Sequence, residues 1–255
     1  RRLGAPRLRV RGLHSLGAGV YTPRGDFTLA IAAEEEAFVL ARDHALADLL
    51  WLPLANLTWT YRLTGQRERT LHWLEELRAI ALPGSLAQGY CYLIRGQLAR
   101  DAGDFRGAHE HFATVRAIAE AKGLVELEFL VREALAQLCR VTGDAPAALD
   151  WAADALTIAE RTGYRHLQGR VLIERGRAAW VLADSAQAEA DFRAALSVLR
   201  PLRARFELAQ ATMLLAAVLE TSRSPEASPV WVEAVMGILH GGYAFWIAQE
   251  QGWSE

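Results

Sequence analysis

Apolar residues recur at intervals of three and four along most of the chain. Across 105–122, Phe105, Ala108, Phe112, Val115 and Ile118/Ala119 fall on one helical face. Ala188, Phe192, Ala195 and Leu199 repeat the pattern across 185–200. No stretch alternates with period two, so strands are not expected. Short turn signals interrupt the helical runs at Gly25-Asp26, Gly65-Gln66, Gly103-Asp104, Gly143-Asp144, Ala183-Asp184 and Arg223-Ser224. The steps between them are 40, 38, 40, 40 and 40 residues, which marks an internal repeat.

Once the turns are aligned, other positions fall into columns. Five residues after each turn stand Ala30, Thr70, Ala108, Ala148, Ala188 and Ser228, and seven before it Ala18, Thr58, Gly96, Ala136, Gly176 and Ala216. Every one is small. Two helices approach closely only where facing side chains are small, so these columns mark where paired helices cross. Leu74, Phe112 and Phe192, then Leu77 and Val115, fill the apolar positions that follow, and Tyr21, Tyr61, Ala99, Cys139, Ala179 and Leu219 stand four before the turns.

The pattern predicts helix pairs at about 7–23/27–44, 47–64/67–81, 85–102/105–122, 124–142/146–162, 165–183/185–200 and 203–222/226–240. A short last helix is expected around 243–251, after Gly241-Gly242. Gly123 and Gly163 read as C-terminal stops that take positive φ, and Asp144 with Pro146 reads as a helix start. Pro53 either kinks its helix or delays its start. No linker is visible, so residues 1–255 are expected to form a single helical-repeat domain.

Composition narrows the function. Of 255 residues, 52% are hydrophobic and 23% charged, the balance of a folded globular chain. The formal net charge of −2 argues against direct nucleic-acid binding, since phosphate recognition requires a basic surface. No apolar run approaches the roughly 18 residues that span a bilayer, and no secretory signal opens the chain. Cys91 and Cys139 have no metal-ligand spacing, and a reduced cytoplasmic protein is the expectation. Lys122 is the only lysine among 28 basic residues, which reads as the coding bias of a GC-rich bacterial genome. The chain opens Arg1-Arg2-Leu3 and is expected to be a piece of a longer polypeptide.

Residue by residue, the chemistry points away from catalysis. His109 and His111 lie about 200° apart on a helix and do not make a metal pair. There is no HExxH, no phosphate-binding loop and no Gly-rich strand-to-helix turn, so neither an enzyme nor a cofactor site is expected. Glu34-Glu35-Glu36 reads as a solvated helix start. Arg1, Arg2, Arg7, Arg9 and Arg11 read as a frayed terminus. Trp231, Trp246 and Trp253 gather at the C-terminal end and are expected to cover the last helix pair or to dock another domain.

The order small residue, aromatic or small residue three later, turn glycine, then alanine resembles the tetratricopeptide repeat. It reads Ala18–Tyr21–Gly25–Ala30 in the first unit and Gly96–Ala99–Gly103–Ala108–Phe112 in the third. The resemblance covers nearly the whole chain and implies an all-α fold, a right-handed α-α superhelix of six helix pairs plus the short C-terminal helix. The period of 40 exceeds the usual tetratricopeptide length, and Glu34 stands where that family places an apolar residue. The segments GDFRGAHEHFATVRAIAEAKG (103–123) and HGGYAFWIAQEQG (240–252) look like the superhelical sensor domain of MalT-type and antibiotic-regulatory-class bacterial transcriptional activators. That resemblance implies a non-catalytic domain that binds a small effector or a protein and controls self-association.

In such arrays the first helices line the concave side, where partners bind. Three before each turn stand Thr22, Arg62, Arg100, Arg140, Trp180 and Glu220. Six before stand Gly19, Trp59, Gln97, Gln137, Arg177 and Ala217. Arg62, Arg100, Arg140 and Arg177, with Gln97, Gln137, Trp59 and Trp180, are the candidate groove residues. Guanidinium forks suit carboxylate or phosphate, and indole faces suit apolar groups. The competing expectation is a solvated face on which Asp101 or Glu133 neutralises the arginines. The expected partner is a protein, a peptide, or a small anionic or sugar-like effector, with self-association through the array ends. Two alternatives from other classes are a constitutive peptide-binding scaffold and a substrate-holding accessory to an enzyme domain elsewhere in the parent chain.

Overall fold

The computed structural model describes residues 4–244. Within that range the chain is helical, with no strand. Two compact units are formed, one up to Ile94 and the other Arg95–Tyr243.

The first unit begins with α1 (Gly4–Leu16), which runs through a π-helical turn (Gly17–Tyr21) into the single turn α2 (Thr22–Arg24). Helices α3 (Phe27–Asp43), α4 (Trp51–Leu63) and α5 (Arg67–Ile80) follow, and α6 (Leu86–Asp101) starts in this unit. Helix α1 packs on α3, α3 on α4 and α4 on α5. Val10, Ala37, Ala41, Leu46 and Leu49 make one apolar cluster there. Pro53 delays α4 rather than kinking it: residues 47–50 form a turn, and Pro53 stands in the first helical turn, where its missing N–H leaves no bond unmade.

The second unit holds α7 (Phe105–Lys122), α8 (Val125–Val141), α9 (Ala145–Thr162), α10 (Arg165–Val181), α11 (Ser185–Leu199), α12 (Arg205–Thr221) and α13 (Ala227–Gly241). Each helix packs on the next, and α10 also touches α8 and α12, the alternation of a helical repeat. The predicted pairs are therefore present, with ends displaced by a few residues at most. The short helix expected at 243–251 falls almost wholly outside the described residues, as do Trp246 and Trp253.

One backbone device closes the first helix of every pair. The residue at the aligned turn is left-handed: Gly25, Gly65, Gly103 and Gly143 have φ of 74°, 72°, 79° and 86°, and Ala183 and Arg223 adopt 60° and 55°. The next N–H then donates to the carbonyl five residues back, as from Asp104 to Ala99 at 2.9 Å and from Asp144 to Cys139 at 2.8 Å. The column four before the turn is thus a column of carbonyl acceptors. Asp104, Asp144 and Asp184 go on to cap the following helix, each side chain accepting from the N–H three residues later.

The small columns are the crossing points. Ala30, Thr70, Ala108, Ala148 and Ala188 are inaccessible to solvent, as are Thr58, Ala136 and Ala216. A Cβ at Gly96 or Gly176 would collide with the ring of Phe112 or Phe192. Two members of the columns need correction. Ser228 is exposed, because α13 starts late and packs through Ala234 and Ile238. Gly17, not Ala18, is the buried small residue of the first unit, because the π turn inserts an extra residue into the helix.

Candidate functional site

In the second unit the first helices α6, α8, α10 and α12 carry a chain of polar contacts on the face that the sequence columns select. Arg100, at the end of α6, donates to Asp101 at 2.7 Å and to the side-chain oxygen of Gln137 on α8. Arg140, at the end of α8, donates through Nε to Glu174 of α10 at 2.5 Å. Arg177, one turn after Glu174, brings Nη1 to 3.7 Å from its other oxygen. Nearer the start of these helices, Arg170 of α10 donates to Glu133 of α8 at 2.5 Å, and His166 lies 3.0 Å from Glu207 of α12. Gln97 is buried, and its Oε1 meets no donor among the described residues. Trp180 is half-buried on α10.

Glu133, Glu174 and Glu207 are buried, and the surroundings of Glu133 and Glu174 pull their carboxyls in opposite directions. Burial is the largest influence on Glu174 and favours the neutral acid. The fields of Arg140 and Arg177, the Arg140 hydrogen bond and the field of Arg100 together outweigh it and hold the carboxyl below its ordinary range. For Glu133 burial prevails over Arg170, with Glu174 adding repulsion, and its carboxyl is pushed up. Three of the predicted groove arginines thus act on Glu174.

In the first unit, Arg62 and Trp59 are half-buried on α4. The polar centre of this unit lies elsewhere. Glu34 was expected to be solvated; it is inaccessible, and accepts from His14 Nδ1 and Asn56 Nδ2, both at 3.0 Å, and from the Ala18 amide. Burial is the main reason its carboxyl is raised. Its neighbours behave differently: Glu35 accepts from the Tyr61 hydroxyl at 2.9 Å and Glu36 pairs with Arg9. Arg7 pairs with Asp48 at 2.5 Å, so the described part of the arginine-rich start is a docked helix rather than a frayed end. Arg1 and Arg2 lie outside the described residues.

The sequence columns found the arginines and half of the counter-charges. Asp101 does engage Arg100, but Glu133 serves Arg170, which was not singled out. Glu174, the hub, was missed; its signal was a lone acidic residue nine before a turn, where Ile94, Ala134 and Leu214 stand in other units. No group of three or more potential His, Cys, Asp or Glu metal ligands occurs among the described residues, and no described helix is long and apolar enough to cross a membrane.

No protein-family profile matches the chain, and no curated protein aligns with it. Solved structures do. BtubC (BKLC) from P. vanneervenii superposes on 88% of this chain and 92% of its own with a TM-score of 0.56 at 18% identity. A Rap protein complexed with competence and sporulation factor aligns over 94% of this chain and 78% of its own, with a TM-score of 0.46 and 14% identity. The BtubC superposition shows that the chain has a known all-α helical-repeat fold.

Proposed function

We propose that this chain is a non-catalytic binding array, and that the face of α6, α8 and α10 bearing Arg100, Arg140, Arg177, Gln97, Gln137 and Trp180 takes a peptide or a segment of a partner protein. The observation that carries this reading is the gathering of three guanidinium groups on one face, Arg140 at 2.5 Å and Arg177 at 3.7 Å from the buried carboxylate of Glu174, with Arg100 tied to Gln137 beside them, which concentrates positive charge there. Such a field draws in negative groups, and the half-buried indole of Trp180 offers an apolar surface beside it. In the first unit, taken by itself, Arg62 and Trp59 stand at the same register of α4 and are proposed as binding residues of that unit. The 40-residue repeat, similar to the sensor arrays of MalT-type activators, supports placing the domain in a bacterial transcription regulator that works in the cytoplasm.

The test is selection of peptides from a random twelve-residue display library on wild-type protein, followed by titration against Arg100→Glu/Arg140→Glu. Reversing both charges is expected to abolish binding while the far-UV spectrum is preserved. Unchanged binding by the double variant places the site elsewhere.

A further inference from the structure

Glu174 occupies the position that a ligand would be expected to take. Its two oxygens face guanidinium groups from two helices, Arg140 Nε at 2.5 Å and Arg177 Nη1 at 3.7 Å, and Arg100 contributes to the field it feels. The Arg177 contact is an ion pair at a distance beyond hydrogen bonding. The side chains of these arginines are between 11% and 19% exposed, against 4% for that of Glu174. Glu174 is the buried carboxylate against Arg140 and Arg177, and Asp101, which is exposed, pairs with Arg100.

We propose that Arg100, Arg140 and Arg177 form a subsite for the carboxylate of an acidic side chain in a bound peptide, and that Glu174 is its internal competitor. The inference rests on the reading that this face binds a peptide, and it adds the ligand chemistry and a control on affinity. A guanidinium N–H that donates to Glu174 is not available to an incoming carboxylate, and the charge of Glu174 repels it. Apparent affinity is therefore reduced by the fraction of time that the internal carboxylate holds the site. An incoming carboxylate that takes over Arg140 also undoes the Arg140–Glu174 tie between α8 and α10, while the Arg170–Glu133 tie between the same helices remains. Ligand binding is thereby coupled to the packing of two successive helix pairs.

The experiment uses the full chain, wild type and Glu174→Gln, each selecting from the random twelve-residue library. Selected acidic peptides are titrated beside counterparts with Asp and Glu replaced by Asn and Gln. Removing the competing charge is expected to tighten the acidic peptides about tenfold or more and to leave the amide counterparts unchanged. Glu174→Asp, which withdraws the carboxylate by one methylene, is expected to give a smaller gain, and it keeps the test decisive if Glu174→Gln does not fold. Acidic peptides that bind both variants no better than wild type overturn the proposal while leaving peptide binding intact. If neither wild type nor variants select any peptide, the peptide-binding reading itself fails, and this proposal with it.

Discussion

The carboxylate of Glu34 stands where a side chain on Gly17 would have to be: a Cβ at Gly17 lies 2.5 Å from Glu34 Oε1. The two residues explain each other. Glu34 sits on α3 at a position where the repeat calls for an apolar side chain, and its buried oxygens need donors. His14, Asn56 and the amide of Ala18 supply them, the last from within the π turn that Gly17 opens.

Gly17→Ala is therefore expected to destabilise the fold by about 1–3 kcal/mol, the usual cost of overpacking. Glu34→Ala should cost a similar amount, because it leaves buried donors unmatched. Urea denaturation compares the two with wild type. A Gly17→Ala midpoint equal to that of wild type would show that the helix and the carboxylate do not meet as described.

The crossing glycines give a second expectation. The rings of Phe112 and Phe192 fill the space above Gly96 and Gly176. Gly96→Leu and Gly176→Leu should each lose at least about 1–3 kcal/mol. Leucine at Gly19, where a Cβ meets nothing within 4 Å, should be tolerated and serves as the control in thermal melts.

Stability should depend on pH in two opposed ways. Glu133 has its carboxyl raised in the folded state, first by burial, so its contribution is present below the ordinary carboxylate range and is lost as pH rises through the raised value. Glu174 is lowered, so its contribution is present above the ordinary range and is lost as pH falls through the depressed value. Glu133→Gln should flatten the decline on the alkaline side, and Glu174→Gln the decline on the acid side. Denaturation midpoints measured across the carboxylate range check both signs. Arg170→Met, which leaves Glu133 without its nearest cation, should cost up to about 3 kcal/mol at neutral pH.

Helix α13 displays an apolar stripe, with Val232 62%, Met236 45% and Leu239 65% exposed. Aligned on the left-handed Gly163 and Gly242, the same positions of α9 are Ala153, Thr157 and Glu160. Met236→Thr/Leu239→Glu should change stability by no more than about 0.5 kcal/mol, as for other surface changes. It should also raise the concentration at which the protein begins to scatter light. A large fall in melting temperature would mean that the stripe is covered.

The helix pairs were legible because period, turn and small-residue columns all follow from local geometry repeated six times. What escaped the sequence was departure from the repeat. The π turn at Gly17 lies against a carboxylate 17 residues away, and the late start of α13 moves the packing position off Ser228. The arginine column was legible for the same reason as the turns, one residue type at one register. Of its counter-charges Asp101 was legible, as the sequence neighbour of Arg100, but Glu174 was not, since it stands on the next first helix at a register of its own and meets Arg140 only when α8 and α10 are side by side.

The joints between paired helices accept Gly, Ala or Arg at the left-handed residue, and three successive ones present an aspartate that caps the next helix. Such joints make a stretch like 145–184 transplantable. Copied in tandem, it ends on Asp184 and resumes at Ala145, the same Asp-to-helix start that Asp144 already provides. Gene duplication can lengthen this array in increments of 40 residues without inventing a new junction, so recognition length and recognition chemistry are free to evolve separately.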